Sequence, residues 1–312
     1  MRTLQELKII FMGTPDFAVA SLDALVKAGA NIVAVITAPD KSSGRGMQLQ
    51  ESPVKRFAVA NNLKVLQPPK LKNPEFLKEL KALEADLGVV VAFRMLPEAV
   101  WHMPHLGTVN VHGSLLPQYR GAAPINWAIM NGETETGVTT FKLKHEIDTG
   151  DILLQHKVPI EPSDNAGTIH DKLMEAGARL LIETVEGLAI GTIREVPQAA
   201  IASEELKHAP KIFKEDMRID WTKSAFQVLN HIRGLSPYPA AFTTLGGKQV
   251  KIYAATSEQT QTGVSPASFN TDKRTYLRIA AADGWIYITD IQQEGKKRMD
   301  IEAFLRGFRL EE

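Results

Sequence analysis

The first half of the chain alternates short apolar runs with longer amphipathic segments. Apolar runs predict strands at residues 9–12, 32–36, 87–92 and 108–111. Amphipathic segments predict helices at residues 17–27, 53–61 and 122–130, and Thr14 is placed to cap the first of them, with Pro15 in its first turn. Continuous β-branched runs separated by helices are typical of a parallel sheet covered on both faces. The pattern therefore predicts an α/β fold with a Rossmann-like, doubly wound, mainly parallel sheet.

The second half of the chain changes character near residue 190. Strands are predicted at 138–143 and 152–160 and a helix at 168–188, after which residues 195–211 show no periodicity. A helix at 224–233 and short alternating segments at 248–255, 275–281 and 284–290 then predict a smaller, OB-like antiparallel β-barrel. We expect a first domain at 1–190, a linker at 191–210 and a C-terminal domain at 211–312.

Composition narrows the possible chemistry. The chain of 312 residues has no cysteine, which excludes a disulfide framework, a thiolate nucleophile and a cysteine-based metal site. Apolar runs fall far short of the roughly 18 residues of a membrane span, so we expect a soluble, cytoplasmic protein. Lysine plus arginine balance aspartate plus glutamate at 36 each, but residues 206–312 hold 16 basic against 12 acidic residues. This mild excess is compatible with a polyanionic partner, and it is also common in domains that bind nothing.

The segment from Asn110 to Pro117 is the densest cluster of unusual residues. Alternate side chains of a strand share a face, so Asn110 and His112 point the same way at the end of a predicted strand. The carboxyl ends of parallel strands are where such folds bind ligands. By itself, a single histidine–asparagine pair is more often a core histidine and a turn residue than a catalytic pair.

A second polar cluster, residues 145–151, follows another predicted strand. Its carboxylates include Asp148, which could orient His112 or favour the charged form of its ring. Asp-Thr-Gly-Asp is also good turn chemistry, so a solvated turn explains the cluster equally well.

Together, the two clusters resemble the folate-dependent formyltransferases. The resemblance is carried by His112-Gly113-Ser114-Leu115-Leu116-Pro117, by Tyr119-Arg120-Gly121-Ala122-Ala123-Pro124 and by Ile147-Asp148-Thr149-Gly150. The opening at 10–17, the loop at 39–46 and the segments 209–212 and 219–221 are similar to the branch that acts on methionyl-tRNA. The resemblance covers essentially the whole chain, and motif matches of this kind are hypotheses about function.

The resemblance implies a set of roles. The catalytic residues would be Asn110, His112 and Asp148, the folate contacts Ser114, Leu115, Leu116 and Pro117, and the tRNA contacts Lys41, Arg45 and Lys211. The co-substrate would be 10-formyltetrahydrofolate and the acceptor the α-amino group of methionyl initiator tRNA, with no metal, no membrane and a monomeric protein. An amide and an imidazole can stabilise the oxyanion that forms in acyl transfer, and a carboxylate can handle the proton of the amine.

One stretch departs from the family pattern. The resemblance assigns the pterin pocket to the main chain of about residues 91–96. The family has Tyr-Gly and three apolar residues before a proline, whereas this chain has Phe93-Arg94-Met95-Leu96-Pro97, which is one residue shorter and lacks the glycine.

Rival classes fit less of the chain. A dinucleotide oxidoreductase needs three glycines in the first turn, and residues 13–17 contain one. A sugar-nucleotide or purine-precursor formyltransferase would keep the catalytic trio but would not explain the basic loop with Lys41 and Arg45 or the C-terminal β domain. A non-catalytic RNA-binding module leaves both signature loops unexplained.

Residues 37–52, polar and glycine-rich, are expected to form a mobile loop that tRNA orders.

Overall fold

A computed structural model describes residues 2–43, 48–201 and 205–307. The strands in these ranges are β1 (Ile9–Gly13), β2 (Ile32–Ile36), β3 (Lys41–Ser43), β4 (Gln48–Gln50), β5 (Val65–Leu66), β6 (Leu87–Val91), β7 (Thr108–His112), β8 (Arg120–Gly121), β9 (Glu135–Lys142), β10 (Ile152–Pro159), β11 (His208–Ala209), β12 (Ala241–Leu245), β13 (Lys248–Gln259), β14 (Phe269–Thr271), β15 (Leu277–Ala280), β16 (Gly284–Gln293) and β17 (Met299–Asp300). The helices are α1 (Asp16–Lys27), α2 (Pro53–Ala60), α3 (Pro74–Ala82), α4 (Glu98–Trp101), α5 (Pro124–Met130), α6 (Ala166–Ile190), α7 (Ala225–Leu235) and α8 (Ile301–Gly307), with 3₁₀ turns at Leu4–Glu6, Gln198–Ala200 and Glu215–Met217.

The chain divides into two compact units, each discontinuous in sequence. The first unit comprises Met1–Arg120, Gly137–Val158 and His170–Lys207. The second comprises Gly121–Thr136, Pro159–Ile169 and His208–Glu312.

The first unit is built on a sheet with the strand order β10-β9-β7-β6-β1-β2-β5. Strands β5, β2, β1, β6 and β7 run parallel, and β9 pairs with β7 in the antiparallel sense. The chain winds outward from β1 through β2 to β5 and then returns to β6, so a topological switch point lies between β1 and β6. Ligands bind beyond the carboxyl ends of the strands at such a point. The predicted Rossmann-like fold is confirmed.

Both faces of this sheet are covered, which explains why its strands are apolar throughout. On one face Ile10 and Val90 pack with Phe76 and Leu80 of α3. On the other, the Val111 side chain lies against Gly177 of α6, where an added Cβ would be 3.0 Å from Val111 Cγ1. Burial of this apolar surface is the main stabilising contribution to the unit.

The second unit contains an antiparallel sheet with the order β12-β13-β16-β15-β14, and β17 pairs with β16. Helix α7 begins with a capping box formed by Ser224 and Gln227. Its buried residues Val228 and Ile232 join a core with strand residues such as Ile252 and Ile286. The predicted smaller antiparallel β domain is confirmed.

Local details differ from the sequence-based expectations. Helix α1 begins at Asp16 with Pro15 as its N-cap, so the prediction that Thr14 caps the helix is wrong. The segment expected to be a loop at 37–52 includes an antiparallel pair, β3 with β4. Helix α3 was not predicted, although Asn73 accepts a hydrogen bond from the Glu75 amide and Pro74 occupies the first turn. Within the described ranges, none of the helices combines the length and the apolar composition that a membrane span requires.

His231 of α7 predicts a pH dependence of stability. Burial lowers its pKa below the ordinary value of 6.5, although a hydrogen bond to the Met217 main chain and the charges of Asp216 and Asp220 act in the opposite direction. As pH falls through 6.5, the unfolded chain binds a proton that the folded chain resists, so the free energy of unfolding should fall by at most about 1.4 kcal/mol per pH unit.

Urea denaturation between pH 7.5 and 5 can measure this slope. We expect His231→Gln to flatten it, whereas His208→Gln, at an exposed histidine of the same unit, should leave it unchanged. An unchanged slope in His231→Gln would show that other groups cause the acid destabilisation.

Candidate functional site

His112 is the last residue of β7 and is only 6% exposed. Its Nε2 atom lies 3.0 Å from the main-chain oxygen of Tyr119. A carbonyl oxygen only accepts, so Nε2 must carry a hydrogen and donate it. The other ring nitrogen, Nδ1, lies 3.8 Å from Oδ2 of Asp148. The ring therefore has one nitrogen fixed by the protein and one nitrogen beside a carboxylate.

Asp148 comes to this position through an unusual backbone conformation. Its φ of 55° lies in the left-handed region, which residues other than glycine seldom adopt. Gly150, two residues later, is packed against the main-chain oxygen of Lys142, and a Cβ there would overlap it. The loop can follow this path only because residue 150 has no side chain. The Asp148 side chain is 12% exposed, so its charge is screened less by solvent than that of a surface carboxylate.

Asn110 lies two residues before His112 on the same face of β7, as strand alternation predicts. It is half-buried, and its side-chain amide makes no hydrogen bond to any other described residue. An amide donor without a protein partner, an imidazole and a carboxylate thus face one end of the sheet. Such a set can stabilise an oxyanion and accept a proton.

Residues 114–117, expected to contact folate, are held by a buried hydrogen-bond network around Thr139. The Thr139 hydroxyl donates to Ser114 O at 2.6 Å and accepts from the Leu116 amide at 3.1 Å. The Ser114 hydroxyl donates to Gln118 O at 2.7 Å, and the Gln155 amide donates to Leu116 O at 2.8 Å. These polar groups are already partnered, and the Leu116 side chain lies in a core cluster. Within the segment, only Leu115 has a half-exposed side chain.

The stretch that departs from the family pattern forms the turn after β6, beside the switch point. Phe93 and Leu96 pack on the core of the first unit. The Arg94 guanidinium donates to the carbonyls of Pro68 and Pro69, the latter at 3.0 Å, and burial lowers its pKa from the ordinary value. The main-chain N–H and C=O groups of residues 93–96 make no hydrogen bonds among the described residues. They are available to a ligand even though the turn is shorter.

The residues expected to contact tRNA are exposed or not described. Lys41 is exposed on β3, and Arg45 lies outside the described residues. Lys211, in the second unit, is exposed and places its Nζ 5.6 Å from the centre of the Phe213 ring.

Sequence reasoning missed the residues that hold the site together. Thr139 and Gln155 make side-chain hydrogen bonds to the segment that follows His112, and Gln198 makes them to the loop that carries Asp148. Gln198 lies 50 residues from Asp148 in the chain, so no local spacing could have linked them. Within the described ranges, no group of three or more histidine and acidic side chains is arranged to hold a metal ion.

Comparison with known families identifies the fold and the class of protein. A family model described as formyl transferase matches residues 7–185, and a model described as formyl transferase, C-terminal domain, matches residues 211–309. The chain belongs to the formyl transferase family.

Two individual relatives are about half identical to this chain over nearly its whole length. The chain is 52% identical over 314 residues to a methionyl-tRNA formyltransferase of Bacteroides fragilis, covering 99% of this chain and 97% of the relative. It is 54% identical over 313 residues to a methionyl-tRNA formyltransferase of Parabacteroides distasonis, covering 98% of this chain and 97% of the relative.

Solved structures are similar in fold at lower identity. An N-formyltransferase from Helicobacter canadensis, in complex with folinic acid and dTDP-3-aminofucose, superposes with a TM-score of 0.69 at 23% identity, covering 92% of this chain and 99% of the other. HypX from Aquifex aeolicus, in complex with tetrahydrofolic acid, superposes with a TM-score of 0.64 at 20% identity, covering 96% of this chain and 47% of HypX. At these identities the similarity supports the fold alone.

The network around Thr139 predicts a contrast between two buried hydroxyls. Thr139→Val keeps the shape but leaves Ser114 O and the Leu116 amide without this partner, which should cost about 1–3 kcal/mol of unfolding free energy. Ser21 is also buried, and its hydroxyl has no partner among the described residues, so Ser21→Ala should be neutral or stabilising. Urea denaturation of both variants measures the difference. Equal effects would show that the Thr139 hydrogen bonds contribute nothing specific.

Proposed function

We propose that the chain transfers the formyl group of 10-formyltetrahydrofolate to the α-amino group of methionyl initiator tRNA, for translation initiation. The observation that carries the proposal is the His112–Asp148 pair beside the unpartnered Asn110 amide. These three side chains lie at one end of a formyl transferase sheet, in a chain about half identical to methionyl-tRNA formyltransferases over nearly its whole length. Identity at that level, across both units, favours the tRNA substrate over a sugar or a purine precursor.

The turn after β6 supports folate as the co-substrate. A pterin ring is a flat heterocycle with several hydrogen-bond donors and acceptors, and main-chain groups can match such an edge. Residues 93–96 offer these groups beside the switch point. Residues 114–117 would then contact folate mainly through apolar atoms, chiefly those of Leu115. The network around Thr139 already provides partners for most of their polar groups.

Asn110 and His112 would stabilise the charge that develops on the formyl oxygen. The bound co-substrate supplies an activated formyl group, whose carbon is attacked by the amine nitrogen of the acceptor. Because His112 Nε2 donates to Tyr119, the ring atom that faces Asp148 and the site is Nδ1. Nδ1 would donate to the formyl oxygen in the doubly protonated form of the ring, in which both nitrogens carry a hydrogen. Donors fixed before the reaction need no reorganisation when the oxyanion forms, which is why they lower the barrier.

Asp148 would handle the protons. An amine nitrogen must lose a proton when it forms the amide bond, and the departing folate nitrogen must gain one. The Asp148 carboxylate can accept the first proton directly or through a water molecule, and the adjacent ring of His112 can pass a proton on. Neither step needs a covalent intermediate or a metal.

Recognition of tRNA would use cations outside this site. Lys41 and Arg45 lie in the segment 37–52, and Lys211 lies at the start of the proposed C-terminal tRNA-binding domain at 211–312, which a linker at 191–210 joins to the catalytic domain at 1–190. Helical RNA presents phosphates and 2′-hydroxyls more readily than base edges, so binding by charge and shape is expected. We expect the enzyme to act as a cytoplasmic monomer.

An acceptor panel tests the proposal. The protein is incubated with 10-formyltetrahydrofolate and, separately, with methionyl initiator tRNA, uncharged initiator tRNA, a dTDP-amino sugar and phosphoribosylglycinamide. We expect formylation of methionyl initiator tRNA alone. Efficient formylation of the sugar or of phosphoribosylglycinamide, without reaction of the charged tRNA, would refute the proposed acceptor.

Catalytic roles predict large losses of turnover from single substitutions. Asn110→Ala and His112→Ala should each lower kcat by about 10²–10³, because each removes a donor to the oxyanion. Asp148→Ala should also lower kcat strongly, since it removes the proton acceptor. Glu146→Ala, at an exposed carboxylate two residues from Asp148, is the matched control and should keep wild-type turnover. Near wild-type kcat in any of the first three would rule out that residue's role.

Phosphate contacts predict a selective effect on the tRNA substrate. Arg45→Ala and Lys211→Ala should each raise the KM for charged tRNA, leave the KM for folate unchanged, and reduce the slope of log affinity against log salt by about 0.7–0.9. Lys72→Ala, at an exposed lysine of the first unit, provides the control. If the two variants match this control, the cations are ordinary surface residues.

A further inference from the structure

The position of the Asp148 carboxylate depends on a main-chain conformation that the loop does not favour by itself. A non-glycine residue at φ 55° needs outside support to stay there. Hydrogen bonds to the neighbouring carbonyl groups can give that support, because they fix the direction in which each peptide plane points.

Gln198 supplies these hydrogen bonds from a distant part of the chain. Its Nε2 donates to the main-chain oxygens of Asp148 and Gly150, each at 2.8 Å. Its Oε1 accepts from Nε of Arg120 at 2.9 Å and from Nη2 at 2.6 Å. Gln198 is only 3% exposed, so these bonds are shielded from water. The Arg120 guanidinium binds the oxygen end of the Gln198 amide, so the nitrogen end points at the two carbonyls.

The segment that carries Gln198 is itself attached to the sheet of the first unit. Ile152 and Val196 exchange two main-chain hydrogen bonds of 2.9 Å, which hold the segment on β10. The exposed pair of Glu195 with Lys142, at 2.5 Å, adds little to this attachment. Gln198 then begins a short 3₁₀ turn. Its side chain therefore reaches the Asp148 loop from a segment that is held on β10.

We propose that Gln198 is a positioning residue for formyl transfer, which holds the Asp148 carboxylate beside His112 through the main chain of residues 148–150, with Arg120 orienting its amide. The inference rests on the proposed catalytic role of Asp148. Glutamate, which has the same length, would pair with Arg120 but has no hydrogen to give the two carbonyls, and alanine would make none of the four bonds.

A double-mutant cycle with Asp148 tests the inference. Gln198→Ala and Gln198→Glu should each lower kcat about 10- to 100-fold, since small misplacements of a reacting group have effects of this size, while the KM for 10-formyltetrahydrofolate stays near wild type. In an Asp148→Ala background, Gln198→Ala should cause no further loss, because the carboxylate it positions is gone. Rates are measured under single turnover and normalised to folded protein.

Glu195→Ala is the matched control, since it removes the segment's exposed ion pair and leaves Gln198 in place. It should keep wild-type kcat. An equal loss from Gln198→Ala in both backgrounds would indicate a general structural effect and overturn the inference. Full turnover in Gln198→Ala would overturn this inference alone, whereas full turnover in Asp148→Ala would overturn the catalytic role of Asp148 together with it.

Discussion

The hydrogen bond from His112 Nε2 to the Tyr119 carbonyl is the interaction on which the site depends. It fixes the ring at the end of β7 and assigns a hydrogen to Nε2, the nitrogen that faces away from Asp148. Nδ1 is left beside the carboxylate, on the same strand face as the free amide of Asn110. A different carbonyl position would rotate the ring and separate these groups. Tyr119 is itself held by its amide, which donates to Lys207 O at 2.7 Å.

The segment after β7 and the loop that carries Asp148 are therefore held in place by hydrogen bonds and close packing. Thr139 ties the segment after β7 to β9, and Gly150 lets the Asp148 loop pass close to Lys142. Gln198 joins the second loop to a remote segment. A doubly wound sheet brings strand ends together. The contacts of Thr139, Gly150 and Gln198 then fix the positions of the site residues at those ends.

The sequence predicted the elements and strand faces that depend on periodicity. It did not predict contacts between residues that are far apart in the chain. Strand alternation was sufficient to place Asn110 and His112 on one face, and continuous apolar runs were sufficient for the parallel sheet. Asp148 was one of several carboxylates in a polar cluster, and only the resemblance singled it out, because no spacing rule connects it to His112. The cap of α1 was placed one residue early, at Thr14, since propensity does not decide which residue leaves the extended conformation. Gln198 had no local signal at all.

The central claim is that Asn110, His112 and Asp148 surround the formyl group during transfer. The most direct test is a crystal structure of the protein with a non-reactive analogue of 10-formyltetrahydrofolate. The account predicts a formyl oxygen within about 3.5 Å of the Asn110 amide or of His112 Nδ1, and a formyl carbon open to an amine on the Asp148 side. A formyl group bound beyond about 8 Å from all three side chains, well outside hydrogen-bond reach, would contradict it.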